Sequence, residues 1–430
     1  MKRNRGKYLA MLLCIALVSS MMPVQAYTTE VTVTKYAANN YSTVMNTTTR
    51  NYAWMRDNLP VMDEDNLYTT NYTHHYFQGP TFDPVNPWDP PEEVNVESRD
   101  YGAVAGTDVK DLCELVGGME TGDEIQVRAS DSFNKWFNYA VAYNDHGNET
   151  LDSKQGPMVL AWYNGNESIT GEHQGVGYPD TGYSVGMRLH FFADNSTNPD
   201  HYHAFGLWDM HECIDEEYWH YYLDGTPENG TYWPSSSGLS VKYINQLNIY
   251  PPHLHDFNDT GDTVGWAFGK QVSSTKPSTN NVPSTEFNST AYANIADDDG
   301  VFQNDTATSG YAAHRFNFSI NTSTNSDGPI ANIEKLTITW NGRGWHDNPN
   351  VNYQGAYLYI WNGASYEELD NSYQDSNEVT LTGEITSDIS SYINSGNVTV
   401  LVRQEDKTFY SLYYSHIQTD YVSLEVAHHH

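Results

Sequence analysis

Residues 333–340 read IEKLTITW, in which Leu336, Ile338 and Trp340 alternate with Thr337 and Thr339. Side chains two apart share a strand face, so the run predicts a half-buried β-strand. Similar runs recur at 314–320 (HRFNFSI), 356–361 (AYLYIW), 378–381, 398–403 (VTVLVR) and 420–426 (DYVSLEV), with Gly, Asn and Asp between them. Short strands at that spacing predict an all-β sandwich, jelly-roll-like, over residues 291–427.

Upstream of the sandwich, residues 271–290 (QVSSTKPSTNNVPSTEFNST) are dominated by Ser, Thr, Pro and Asn and are expected to form an extended linker. Residues 27–270 predict an α+β N-terminal domain, mostly β with short helices. Its strands are expected at 30–36 (EVTVTKY), 123–129 (DEIQVRA), 158–162, 187–193 (MRLHFFA) and 239–250 (LSVKYINQLNIY). The clearest helix runs over 107–118. Thr107 or Asp108 caps it, Val109, Leu112, Cys113 and Val116 share one face, and Gly117-Gly118 ends it.

Residues 1–26 have the pattern of a secretory signal peptide. Lys2, Arg3, Arg5 and Lys7 precede an apolar run over 8–22, and Val24-Gln25-Ala26 suits cleavage after Ala26. The 430 residues carry 21 Lys and Arg against 55 Asp and Glu, a net charge of −34 that becomes −38 without the signal's four cations. So acidic a chain argues against nucleic-acid partners and anionic membranes, which need clustered Lys and Arg. No later apolar run reaches the roughly 20 residues of a membrane span. The expected location is secreted, extracellular or cell-surface, with other surface components, glycans or further copies of the chain as partners.

Twelve Asn-x-Ser/Thr sequons suit a glycoprotein: Asn46, Asn71, Asn148, Asn166, Asn195, Asn229, Asn258, Asn288, Asn304, Asn317, Asn321 and Asn397. With Cys14 in the signal, Cys113 and Cys213 form an even pair, and a disulfide is expected between them. His428–His430 read as a possible tag remnant.

Two segments hold metal-ligating residue types. In 200–222 (DHYHAFGLWDMHECIDEEYWHYY), His201, His203, His211, Glu212 and His220 are candidate transition-metal ligands, set against a plainer reading as hydrogen-bonding partners of the surrounding Trp and Tyr. Asp297, Asp298 and Asp299 crowd three carboxylates before Gly300. With Asp420 from a late strand they could hold Ca²⁺, against the alternative of a solvated acidic turn. Gly182-Tyr183-Ser184-Val185-Gly186 matches a hydrolase nucleophile motif but lacks the strand before it and helix after it, which excludes a serine hydrolase.

Between Asp100 and Tyr250 the chain resembles the oxidoreductase molybdopterin-binding domain of the sulfite-oxidase type. The matching elements are Gly102 to Leu112 (GAVAGTDVKDL), Asp123–Ala129, the turn Ser130-Asp131-Ser132-Phe133 and the closing strand 239–250. In that turn Ser132 stands where the family has Gly. The resemblance implies the fold. The family's molybdenum-ligating Cys segment has no counterpart here, and basic residues for a pterin phosphate are scattered, so a molybdopterin cofactor is not expected. The whole chain resembles two-domain secreted surface proteins of methanogenic archaea, through Trp208 to Cys213 (WDMHEC) and Trp340 to Trp345 (WNGRGW).

The function expected is therefore that of a secreted cell-surface glycoprotein with a non-catalytic binding, adhesion or envelope role, with possible Ca²⁺ in the C-terminal domain. The alternative is a secreted oxidoreductase using molybdopterin or a transition metal held by 201–220.

Overall fold

The computed structural model describes residues 27–62, 74–77, 100–143, 155–164, 177–183, 186–193, 218, 220–221, 232–233, 239–258, 264–322, 327–348, 355–373, 377–409 and 412–429. Among these the chain is mostly β, with several sheets and short helices.

In the N-terminal unit the strands are β1 (Glu30–Ala37), β2 (Asn40–Asn51), β3 (His74–Phe77), β4 (Asp100–Asp108), β5 (Glu124–Ala129), β6 (Asn134–Asn138), β7 (Gln155–Asn164), β8 (Arg188–Ala193), β9 (His220–Tyr221), β10 (Tyr232–Trp233) and β11 (Ile244–Tyr250). One sheet has the order β2-β1-β11-β5-β6, with β1 parallel to β11. Another has the order β3-β4-β7-β8, and β9 and β10 form a pair. The expected helix is shorter than its apolar periodicity, because Thr107 still belongs to β4. It runs over Val109–Glu114, with the Asp108 carboxylate accepting from Lys110 N. Val109, Leu112, Cys113 and Val116 are all buried, and Gly117 and Gly118 end the element at positive φ. Ser132 also adopts a left-handed φ of 76°, the backbone state that a glycine supplies without strain.

Cys113 is fully buried with a free thiol, and no disulfide forms among the described residues. The helix turns Cys113 into the apolar core beside Val109 and Leu112. Cys213 lies outside the described residues.

The C-terminal unit holds β12 (His253–His255), β13 (Val264–Val272), β14 (Thr285–Glu286), β15 (Gln303–Ala307), β16 (Tyr311–Ser319), β17 (Ile333–His346), β18 (Ala356–Trp361), β19 (Tyr366–Ser372), β20 (Val379–Ile385), β21 (Ile393–Asn394), β22 (Asn397–Gln404) and β23 (Ser415–His428). One sheet has the order β12-β23-β17-β20, with β15 also on β23. The other has the order β14-β13-β16-β22-β18-β19, with β21 on β22. Leu336, Ile338 and Trp340 from the first sheet and Phe316, Leu358 and Val400 from the second share one fully buried core. The alternation of 333–340 thus does what its period requires.

Residues 271–290 do not form a linker. Gln271 and Val272 end β13, Thr285–Glu286 pair with Phe268 and Gly269, and Phe287 is buried. The reason lies outside the segment: two arginines of the second sheet capture its carbonyls. Arg315 donates to Asn280 O and Arg403 to Thr275 O at 2.9 Å, while Lys276 Nζ lies 5.5 Å from the Tyr359 ring centre. The segment therefore covers the outer face of that sheet, where Ala313, Tyr359 and Leu401 are buried with Val272.

The start of the unit also moves: β12, expected within the N-terminal domain, pairs with β23. His428 is likewise no appendage. It is paired with Ile333 and buried, and His429 Nδ1 lies 2.9 Å from Glu124 Oε1.

Asn288 caps the short helix Ser289–Ala293 by accepting from Ala291 N at 3.0 Å. Asn288→Ala is expected to lower stability by about 1 kcal/mol, whereas Asn288→Asp, which also removes the sequon but keeps the cap, is near neutral. Denaturant unfolding of the two variants checks this, and equal losses would refute it.

Candidate cation centre and binding face

The centre begins with an irregularity in β23. Thr419 and Asp420 are both fully buried, although successive residues of a regular strand point to opposite faces. The register explains it: Thr419 lies opposite Gly342 and Tyr421 opposite Asn341, so Asp420 is the extra residue of a β-bulge. Thr419 keeps the inward place, where its hydroxyl accepts from Trp340 Nε1 at 2.8 Å. Gly342 is required opposite the bulge, since a Cβ there would lie 2.2 Å from Gln418 O and 2.4 Å from the Trp340 ring. On the other side of β23, β15 pairs as far as Thr419 and β12 begins at Leu424. Into that gap fits the 297–301 loop, whose Gly300 N donates to both Asp420 oxygens at 2.9 and 3.1 Å.

Three carboxylates meet there. Ligand oxygens of Asp298, Glu378 and Asp420 all lie within 4.8 Å of one another. Glu378 immediately precedes Val379, which pairs with Gly342, so β20 delivers it to the bulge. Desolvation, then the bond to Asp420 and its charge, push Glu378 up to about 7; the same causes raise Asp298. Asn341 donates to Asp298 Oδ2 at 2.9 Å, while its own Oδ1 is buried with no partner. An amide oxygen beside crowded carboxylates suits a hard, oxygen-seeking cation.

Of the residues expected from the sequence, Asp298 and Asp420 therefore meet. Asp297 and Asp299 do not join them: Asp297 accepts from Asn258 Nδ2 at 3.4 Å, and Asp299 from Val301 N at 2.9 Å. Glu378 carried no signal beyond being an acidic residue at a strand start. His201, His203, His211 and Glu212 lie outside the described residues, and His220 is placed only as backbone in β9. Of the sequons, Asn46, Asn288, Asn304 and Asn321 are exposed, Asn258, Asn317 and Asn397 are half-buried, and the other five lie outside the described residues.

Beside the centre runs a half-buried strip on the outer face of the same sheet. Trp345 pairs with His416 and Arg343 with Gln418. The Trp345 and His416 rings stack at 4.6 Å and 3°. His416 is fixed at both nitrogens, by Thr306 Oγ1 at 2.9 Å and Asp347 Oδ1 at 3.0 Å. Arg343 donates to Gln418 Oε1 and lies over the Phe302 ring at 4.8 Å. Arg343 also lies over the Trp345 ring at 5.9 Å, so the strip is a half-buried aromatic stack flanked by hydrogen-bonding groups.

Residues 262–428, nearly the whole C-terminal unit, match a protein family described as "Uncharacterized protein, C-terminal domain". Over 96 residues the chain is also 34% identical to an uncharacterized protein of Archaeoglobus fulgidus. That stretch is 22% of this chain and spans only 16% of the relative's length. No helix among the described residues is long and apolar enough to cross a membrane.

Proposed function

We propose that this is a secreted archaeal cell-surface glycoprotein with a non-catalytic binding, adhesion or envelope role, whose C-terminal sandwich, jelly-roll-like, is the binding module. The observation carrying this reading is the Phe302, Arg343, Trp345 and His416 strip, fixed in place beside a cation centre. Sugar rings have the matching chemistry: apolar C–H groups for the Trp345–His416 stack and hydroxyls for Arg343, Gln418 and Asp347. The cation's role is structural, tying the 297–301 loop to the bulge. Support for a surface location is the signal-like residues 1–26, the acidity and the exposed sequons.

For the N-terminal unit we propose a fold like the molybdopterin-binding domains, without the cofactor. The left-handed Ser132, standing where that family has Gly, supports the fold; the missing thiolate segment speaks against the cofactor. Near-equimolar molybdenum in protein from a host that makes the cofactor would instead favour the secreted oxidoreductase.

Screening the full chain against envelope polysaccharides tests the binding role. Trp345→Ala is expected to abolish binding at an unchanged melting temperature. Absence of binding to any glycan or envelope fraction overturns the reading.

A further inference from the structure

A second cluster of ligating side chains lies where β12 joins the sandwich to the N-terminal unit. His253 and His255 are two apart on the strand and therefore share a face; each is no more than 1% exposed. Asp327, also fully buried, comes from the turn ahead of β17. One of its oxygens, Oδ1, lies 2.8 Å from His253 Nδ1 and 2.6 Å from His255 Nε2, and the imidazoles meet edge to face at 5.0 Å. The other oxygen, Oδ2, accepts from Asn321 N at 2.5 Å, which holds the carboxylate in place.

We propose that His253, His255 and Asp327 form a binding site for a late first-row divalent transition metal, typified by Zn²⁺. Two imidazole nitrogens and one carboxylate oxygen are a borderline donor set that suits Zn²⁺ and leaves a fourth position for water. Tetrahedral bonds of about 2.0–2.1 Å separate ligand atoms by roughly 3.3 Å, so the two nitrogens need to draw back from Asp327 Oδ1 by only about 0.5–0.7 Å. Hydrogen bonds do not satisfy the cluster, because His255 Nδ1 is buried with no partner. Two imidazoles and a carboxylate removed from water are costly to bury for a packing role that apolar residues could fill. The Asn321 bond to Asp327 is the kind of outer contact that orients a ligating carboxylate.

The location gives the metal a consequence. Leu254, between the two histidines, donates to Ala38 O at 2.9 Å, and the His253 ring contacts Tyr41 at 5.0 Å. Loading the site would hold β12 against both units at once.

The test uses the full chain stripped with chelator and dialysed, with Co²⁺ as spectroscopic probe and Zn²⁺ as competitor. One equivalent of Co²⁺ is expected to give the intense visible bands of a tetrahedral site, displaced by Zn²⁺. Asp420→Asn and His211→Gln should leave the bands intact, whereas His255→Gln and Asp327→Asn should weaken binding by at least about 100-fold. Bands that survive in His255→Gln and Asp327→Asn, or are lost in His211→Gln, overturn the assignment. Should those two variants fail to fold, X-ray absorption of the Zn²⁺-loaded wild type decides. Two imidazole ligands in the first shell support the site, and an oxygen-only shell or no bound equivalent refutes it.

Discussion

Adding Ca²⁺ to the chelator-treated protein is expected to raise the melting temperature of the C-terminal unit by several degrees, and Asp420→Asn is expected to remove that rise. A ligand that binds only the native state stabilises by about 2.7 kcal/mol at a hundredfold excess over its Kd. The carboxylates of Asp298, Glu378 and Asp420 are held within 4.8 Å of one another, so the cation relieves repulsion that the fold otherwise carries. The pH dependence has a defined sign. Glu378 is raised from an ordinary 4.5 to about 7, so between those values the native state holds a proton that the unfolded chain has lost. Without Ca²⁺, stability should therefore fall as pH rises from about 4.5 to about 7 and change little above that on this account. With Ca²⁺ the fall should disappear. Calorimetry at pH 5 and 8, with Ca²⁺ and with chelator, measures both effects; four equal midpoints would leave the acidic loop as a solvated turn.

The second large effect is expected at Asp108, where β4 passes into the helix. The residue is 7% exposed, and its carboxylate accepts from Lys110 N at 2.9 Å. Burial, followed by the charge of Asp111, pushes it up to about 7 against that hydrogen bond. A raised carboxylic acid destabilises the fold above its ordinary value of 3.8, and the penalty is complete above about pH 7. Asp108→Asn keeps the cap and removes the charge. It should stabilise the protein at pH 8 by up to about 4 kcal/mol, with the gain shrinking as pH falls towards 4. Urea unfolding at pH 8 and pH 5 reads the difference, and a gain independent of pH would contradict the buried charge as its cause.

Much of the architecture was legible because strand and helix faces are local properties. Six runs of the C-terminal unit stand as strands, and the face of Val109, Leu112, Cys113 and Val116 is buried. The reading failed where polar composition stood in for structure. Residues 273–284 are polar yet fixed in place, because arginine side chains bond the Thr275 and Asn280 carbonyls, and neither Arg315 nor Arg403 lies near them in sequence. Two of the three carboxylates of the cation centre were legible: Asp298 stands in an acidic run and Asp420 on a late strand, while Glu378 stands alone.

By itself, the amino-acid sequence determined six strands of the C-terminal unit, the buried face of Val109, Leu112, Cys113 and Val116, and the crowding of acidic residues around Asp298. Those properties follow from period, turn chemistry and charge, all read within a few residues. Only the tertiary structure decided that Asp420 occupies a bulge, that Glu378 completes its trio, and that His253 and His255 meet Asp327. Each of these depends on the register between strands distant in the chain. A shift of one residue in pairing would turn the same side chains to the opposite face without altering any local pattern.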